Sequence, residues 1–147
     1  MYRALMIILV FVFAISTSAY GEELFTVSGK INFQEEGGEF LVQLKTEQEL
    51  ENDIKTVPPS RELLIKPNST QLKAKKITFK FTDVPAGTYC IRCLHDLNKN
   101  GKMDRVPETG MPAEPYGYSG PLAFGKPMWK DVSFKVDKNI SDIEIKL

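Results

Sequence analysis

Apolar residues recur at every second position over much of this chain, and this spacing limits the fold more than any other feature. Between Lys75 and Thr82, Ile77, Phe79 and Phe81 alternate with polar side chains. Successive side chains of a β-strand point to opposite faces, so the alternation predicts a strand with one buried face. An amphipathic helix would need apolar residues three or four positions apart. The chain is therefore predicted to consist mainly of strands.

Seven segments show strand patterns, with turn residues between them. A hairpin is expected to join the first two through the polar turn 34–38, and one or two helical turns are expected within Thr46–Ile54. A long loop rich in proline and glycine runs from Asp96 to about Lys126. The sequence thus predicts an all-β fold, an antiparallel β-sandwich of about seven strands with one long loop. The predicted strands are Glu23–Phe33, Glu39–Thr46, Arg61–Lys66, Lys75–Thr82, Thr88–His95, Trp129–Val136 and Ser141–Leu147.

The start of the chain has the pattern of a targeting signal. Arg3 supplies a positive charge, and the residues from Ala4 to Ile15 are all apolar. A helix that crosses a bilayer needs about 20 apolar residues, so this shorter run is typical of a signal-peptide core. An uncleaved N-terminal anchor is the alternative.

Small residues mark the predicted cleavage site. Ala19 and Gly21 favour a cut before Glu22, and a cut after Ala19 is the alternative. We therefore expect a signal peptide at 1–21 and a single β-sandwich domain at 22–147. The mature protein is expected to be exported, to the periplasm or the extracellular space, with no membrane span.

Charge and composition exclude several functions. Nineteen basic and 19 acidic residues cancel, so no strong electrostatic field indicates nucleic acid as a partner. With 42% hydrophobic residues, the chain is neither a disordered segment nor a multi-span membrane protein. One histidine and two cysteines leave few ligands for zinc.

The segment from residue 96 to residue 104 carries the pattern D-x-N-x-N-G-x-x-D. Oxygen-bearing side chains at alternate positions of a tight loop converge, and the glycine permits the positive φ at which the chain wraps an ion. Calcium takes about 6–8 oxygen ligands, including amide and main-chain carbonyl oxygens. The predicted calcium ligands are the side chains of Asp96, Asn98, Asn100 and Asp104 and the carbonyl of Lys102.

This loop differs from an EF-hand. Its twelfth position is Pro107, where an EF-hand has a bidentate glutamate, and no helices are predicted beside it. Two carboxylates and two amides predict weak calcium binding. The alternative is a metal-free glycine turn held by hydrogen bonds of its Asp and Asn side chains.

Four more residues around the loop are candidates for ligand binding: His95, Glu114, Tyr116 and Tyr118. The two tyrosines, with Phe124 and Trp129, form an aromatic cluster suited to stacking on a sugar or a peptide. The alternative is that these rings form a small core that orders the loop. For His95 the alternative is that it caps its strand and hydrogen-bonds the loop.

The C-x-x-C pair formed by Cys90 and Cys93 is predicted to be unbridged. Redox-active pairs open a helix, whereas this pair lies within a predicted strand. Three residues along a strand span about 10 Å, and a disulfide needs Cα atoms within about 7 Å. The alternative is a bulge that brings the thiols together, in an exported compartment that permits disulfides.

Three motifs follow one another in the middle of the chain: DVPAGTY at Asp83–Tyr89, HDxNxNGKxD at His95–Asp104 and GMPxEPYGYS at Gly110–Ser119. In this order they resemble a bacterial family catalogued as domain of unknown function 2141. The chain departs from the family pattern at Cys90 and Cys93, where the family has small or aliphatic residues. The resemblance implies a transthyretin-like or immunoglobulin-like β-sandwich outside the cytoplasm, and it implies no known activity.

Two classes of function remain open. The favoured one is a non-catalytic exported module that binds an envelope protein or polymer, with a weak calcium loop. The alternative is a metal-assisted hydrolase that uses the acidic loop and a metal-activated water, with His95, Glu108 or Glu114 as the base. A hydrolase should have a deep polar pocket beside the loop, whereas a binding module should have a shallow or flat face.

We predict that the exported form begins at or near Glu22. The apolar run ends before Ala19 and Gly21, which fit the small-residue rule for cleavage. Intact-mass spectrometry of protein recovered outside the cytoplasm should show that 1–21 has been removed. A mass that still includes these residues would contradict the prediction.

Overall fold

The computed structural model describes residues 21–121 and 126–147, and there it confirms an all-β sandwich. The predicted signal peptide, apart from Gly21, lies outside the described residues. Three short helices and one 3₁₀ turn accompany the strands: α1 Glu47–Glu51, the 3₁₀ turn Pro59–Arg61, α2 Ser69–Ala74 and α3 Trp129–Val132. The eight strands are β1 Leu24–Asn32, β2 Glu39–Lys45, β3 Glu62–Ile65, β4 Lys76–Pro85, β5 Gly87–Asp96, β6 Tyr116–Tyr118, β7 Phe134–Val136 and β8 Ile140–Lys146.

The strands form two sheets. The first has the order β4-β1-β8, and the second has the order β3-β2-β5-β6, with β7 paired to the beginning of β5. All pairs between these strands are antiparallel except β1 with β8, which is parallel. The described residues therefore form eight strands, where the sequence predicted about seven. The additional strand, β6, lies inside the predicted long loop.

The predicted hairpin of the first two strands is wrong. β1 pairs with β4 and β8, whereas β2 pairs with β3 and β5. The turn 34–38 carries the chain from one sheet to the other, with Gly37 and Gly38 at positive φ. Alternation identifies the buried face of each strand but not its partner, which depends on packing between distant segments.

Alternate residues of both sheets meet in one core. Burial of each large apolar side chain contributes roughly 1.5–3 kcal/mol relative to exposure, so this layer is the main source of stability. The buried members include Val27 and Ile31 of β1, Phe40, Val42 and Leu44 of β2, Ile77, Phe79 and Phe81 of β4, and Tyr89, Ile91 and Cys93 of β5.

The opposite face of β5 is also covered. Cys90 packs with Leu50 of α1 and Val132 of α3, and Tyr118 and Trp129 lie against them. The predicted strand Trp129–Val136 is therefore wrong in its first half, because a helical turn precedes β7. Trp129 and Val132 are three residues apart, the spacing that places both on one side of a helix.

Segment 46–61 covers polar residues of β2 that alternation would assign to solvent. Gln43 is buried, and its Nε2 donates to the carbonyl of Lys55 (2.8 Å) and to Glu62 (2.7 Å). Lys45 is also buried, and its Nζ donates to the carbonyl of Ile54. Burial lowers the pKa of Lys45. These hydrogen bonds fix the covering segment to the sheet.

The expected helical turn within Thr46–Ile54 is confirmed as α1. Thr46 and Glu49 form a capping box at its start. Both oxygens of Glu49 accept hydrogen bonds of 2.7 Å from Arg61, whose guanidinium holds the pKa of Glu49 down at about 2. Within the described ranges, no helix is long and apolar enough to span a membrane.

We predict that the protein has two free thiols and that neither reacts while it is folded. Cys90 and Cys93 are unbridged, fully buried and on opposite faces of β5, as the strand geometry predicted. Burial raises the pKa of Cys90 to about 12 and also raises that of Cys93. Thiol labelling without reductant should give two labels per chain in denaturant and none in native buffer. Unlabelled monomer in denaturant would show that the two are bridged.

Candidate functional site

The candidate site is the excursion 97–115 between β5 and β6. Its two ends are close together because β6 pairs antiparallel with β5, with Tyr116 opposite Leu94. The main-chain N–H of His95 also donates to the carbonyl of Pro115 (2.9 Å). The chain therefore leaves and re-enters the same sheet at neighbouring positions.

Asp96 begins the loop and has only 2% of its surface exposed. Its Oδ1 accepts the main-chain N–H of Asn100 (3.1 Å), and its Oδ2 accepts that of Gly101 (2.6 Å). Gly101 has φ +77°, a conformation that favours glycine. Hydrogen bonds from N–H groups compensate a buried carboxylate for the water it has lost.

The other predicted side-chain ligands lie around Asp104. Its Oδ2 accepts Nδ2 of Asn98 (2.5 Å) and Nδ2 of Asn100 (2.8 Å). Oδ1 of Asn98 accepts the N–H of Asn100 (3.1 Å), and Oδ1 of Asn100 accepts the N–H of Lys102 (3.0 Å). Hydrogen bonds thus link the side chains of Asn98 and Asn100 to Asp104, while Asp96 bonds the main chain of the same glycine turn.

Glu114 ties the return of the loop to its beginning. It is 7% exposed, and its two oxygens accept the main-chain N–H groups of Leu97 (2.8 Å) and Asp104 (3.2 Å). The sequence marked this residue as a candidate ligand-binding group, and that role stays a prediction. Its place in the third motif was the only signal in the sequence, because its two partners are 17 and 10 residues away.

His95 lies on the face of β5 opposite Asp96 and is fully buried. Its ring stacks on Phe40 at a centroid distance of 4.1 Å, and its Nε2 lies 2.8 Å from the carbonyl oxygen of Gly37. A carbonyl oxygen only accepts, so Nε2 carries the proton. The side chain therefore bonds the crossover turn 34–38, whereas the expected hydrogen bond to the long loop is made by the main-chain N–H of His95 to Pro115.

Close packing around His95 explains the glycine at position 38. A Cβ there would lie 2.9 Å from Nε2 of His95 and 2.8 Å from the carbonyl oxygen of Asp96. Gly38 also has φ +73°, which disfavours other residues.

Nδ1 of His95 has no hydrogen-bond partner among the described residues.

The tyrosines of the predicted aromatic cluster are partly buried. Tyr116 and Tyr118 meet edge to face at a centroid distance of 6.2 Å. Tyr118 and Trp129 both pack against the small cluster around Cys90, and burial raises the pKa of Tyr118. Phe124 lies outside the described residues. This packing matches the core alternative, and a ligand-binding role stays a prediction.

The donor set at the loop suits only a hard cation. Residues 21–121 and 126–147 contain no group of three or more His, Cys, Asp and Glu side chains placed to hold a metal. A metal here would need amide and main-chain oxygens, which calcium accepts. The amide nitrogens of Asn98 and Asn100 now face Asp104. Rotating each amide about its last torsion would turn its oxygen toward Asp104, and it would also take that oxygen away from the N–H of Asn100 or of Lys102.

Two clefts lie elsewhere on the surface, and no residue of the excursion 97–115 is among their described lining residues. The smaller has a volume of about 290 Å³ and lies between Arg61 and the end of β4. The larger has a volume of about 590 Å³ and is lined by Thr46, Glu47, Gln48, Glu51, Thr88 and Trp129.

Residues 31–144 match the sequence profile of a family described as "Uncharacterized protein conserved in bacteria (DUF2141)". The chain belongs to this family. The match covers 114 of 147 residues and includes the loop, Glu114 and the second sheet. No curated protein and no solved structure matches the chain. DUF2141 membership confirms the resemblance seen in the three motifs, while the transthyretin-like detail stays a prediction.

We predict that Glu114→Ala destabilises this DUF2141 protein by about 1–3 kcal/mol, because it leaves two main-chain N–H groups without an acceptor. Glu114→Gln, which keeps one oxygen, should cost less. The control is Glu108→Ala in the same loop, where the exposed carboxylate should matter by less than about 0.5 kcal/mol. Urea unfolding at equal m-values gives these differences. Equal stability of Glu114→Ala and Glu108→Ala would contradict the role of Glu114.

Proposed function

We propose that this protein is a non-catalytic, exported β-sandwich of the cell envelope that binds an envelope protein or polymer and whose loop takes calcium weakly. One observation carries the non-catalytic part: the buried acids of the loop hold main-chain N–H groups and line neither of the described clefts. The predicted signal peptide and the family motifs support export.

The positions of the candidate bases favour a binding module over a hydrolase. A general base must reach the attacking water within hydrogen-bond distance. His95 is fully buried among aromatic rings, and both oxygens of Glu114 already accept main-chain N–H groups. Glu108 is exposed but lines neither described cleft.

The calcium proposal rests on the convergence of oxygen-bearing side chains. Asp96, Asn98, Asn100 and Asp104 would hold the ion together with the carbonyl of Lys102. The ion would take the place of the two asparagine amide groups that now donate hydrogen bonds to the carboxylate of Asp104. The oxygens of Asp96 and Glu114 already accept main-chain N–H groups, so Asp96 would share its charge between these donors and the ion. This favours the weak end of calcium sites, about 10⁻⁴–10⁻³ M.

We predict that calcium raises the melting temperature by a few degrees. A ligand that binds only the folded state at about ten times its Kd stabilises it by roughly 1.4 kcal/mol. Asp104→Asn keeps the size of the side chain but removes a charge, so it should reduce the shift. Asp96→Ala should abolish it, and Asn100→Ala should weaken it less.

Magnesium and sodium chloride at matched ionic strength are the controls for this melting experiment. Magnesium demands near-ideal octahedral geometry, so it should give a smaller shift than calcium. Calcium shifts no larger than those of the controls would show that the loop is a hydrogen-bonded turn without a metal role. An unchanged shift in Asp104→Asn would show that calcium binds elsewhere.

A further inference from the structure

The larger cleft lies on the outer side of the second sheet. None of its described lining residues belongs to the excursion 97–115. Its described walls come from three elements: α1 with its cap Thr46, strand β5 through Thr88, and α3 through Trp129. Hydrogen bonds and packing hold all three in place, including the pair of Glu49 with Arg61. The cleft is therefore formed by elements that pack against the second sheet.

Two carboxylates line this cleft. Glu47 and Glu51 lie four residues apart on α1, a spacing at which like charges repel each other and destabilise a helix. Both residues are exposed, and neither forms a salt bridge within the described part of the chain. Glu49, between them, is neutralised by Arg61. Arg61 does not pair with Glu47 or Glu51, so a cation in the cleft would reduce the repulsion between these two carboxylates.

Trp129 adds an aromatic surface to the two acids. It is half-buried against the cluster of Leu50, Cys90 and Val132 while also lining the cleft. The face of an indole ring attracts ammonium and guanidinium groups, and tryptophan is the strongest of the aromatic side chains in this respect. Acids together with an indole therefore fit a positively charged ligand.

An ammonium group of this chain already contacts the same helix. Nζ of Lys126 donates to the main-chain carbonyl oxygen of Glu51 (2.7 Å). The carbonyl end of a helix carries partial negative charge, which adds to the charge of the carboxylates. Lys126 thus occupies the carbonyl of Glu51, so a ligand cation would bind the carboxylates of Glu47 and Glu51 and not this carbonyl.

We propose that this cleft binds lysine or arginine side chains of a basic peptide segment in a partner protein. The cation contacts Trp129 and lies between Glu47 and Glu51, with Gln48, Thr46 and Thr88 as hydrogen-bonding groups at the walls. This assignment goes beyond the proposed calcium loop and does not depend on it. It deepens the proposed binding role by giving the chemistry of the partner.

Fluorescence provides a direct test, because Trp129 is the only tryptophan in the chain. The probe is trilysine amide, titrated into the full mature protein at low salt and without calcium. Trilysine acetylated on its side-chain amines is the uncharged control. We expect a saturable change in emission with trilysine that weakens as salt is added, and no such change with the acetylated peptide.

Variants then locate the site. The double substitution Glu47→Gln and Glu51→Gln should raise the dissociation constant at least fivefold. Glu108→Gln removes one charge from an exposed position that does not line the cleft, and it should leave binding within twofold. Melting curves of each variant establish that it is folded.

Three results would overturn the assignment: no change with trilysine, an equal response to the acetylated peptide, or unaltered binding by the folded double variant. The comparison of the two peptides on the unmodified protein is decisive even if the double variant does not fold. A negative result with the peptides would not affect the calcium proposal, because the melting experiment tests the loop 96–104 and not the cleft.

Discussion

Strand β5 buries residues on both of its faces, and this double burial organises the protein. One face, with Tyr89, Ile91 and Cys93, joins the core between the sheets. The other face, with Cys90, needs a second cover, which α1 and α3 supply. The strand also pairs with β2, β6 and β7. The positions of the loop, the outer cleft and the two buried thiols all follow from the position of this strand.

The sequence predicted best where one face alone is buried. β4 alternates cleanly because its polar residues are exposed, whereas Gln43 and Lys45 of β2 follow the same pattern and are buried beneath segment 46–61. Strand partners were missed because pairing depends on distant segments. β6 has three residues inside a segment rich in turn formers, and only its pairing with β5 makes it a strand.

At the candidate site, the spacing of residues in the sequence predicted those parts of the loop that hydrogen bonds between near neighbours determine. The D-x-N-x-N-G pattern placed Asp96, Asn98 and Asn100 in one loop, and their hydrogen bonds close over two to five residues. The clamp formed by Glu114 and the contact of His95 with Gly37 join residues 17 and 58 positions apart. Such contacts depend on the crossing of the chain between sheets, which periodicity does not encode.

The buried acids of the loop, Glu49 of α1 and the acids of the larger cleft have different environments, and the difference separates structural roles from the proposed binding role. Asp96 and Glu114 are buried and receive main-chain N–H groups, so their charge stabilises the loop and little of it is left for a ligand. Glu49 is partly buried and receives a guanidinium, which lowers its pKa and fixes α1. Glu47 and Glu51 receive neither within the described residues, although they line the larger cleft beside Trp129. A cation at the proposed cleft site would meet two carboxylates that form no salt bridge among the described residues, while at the loop it must first displace amide donors from Asp104.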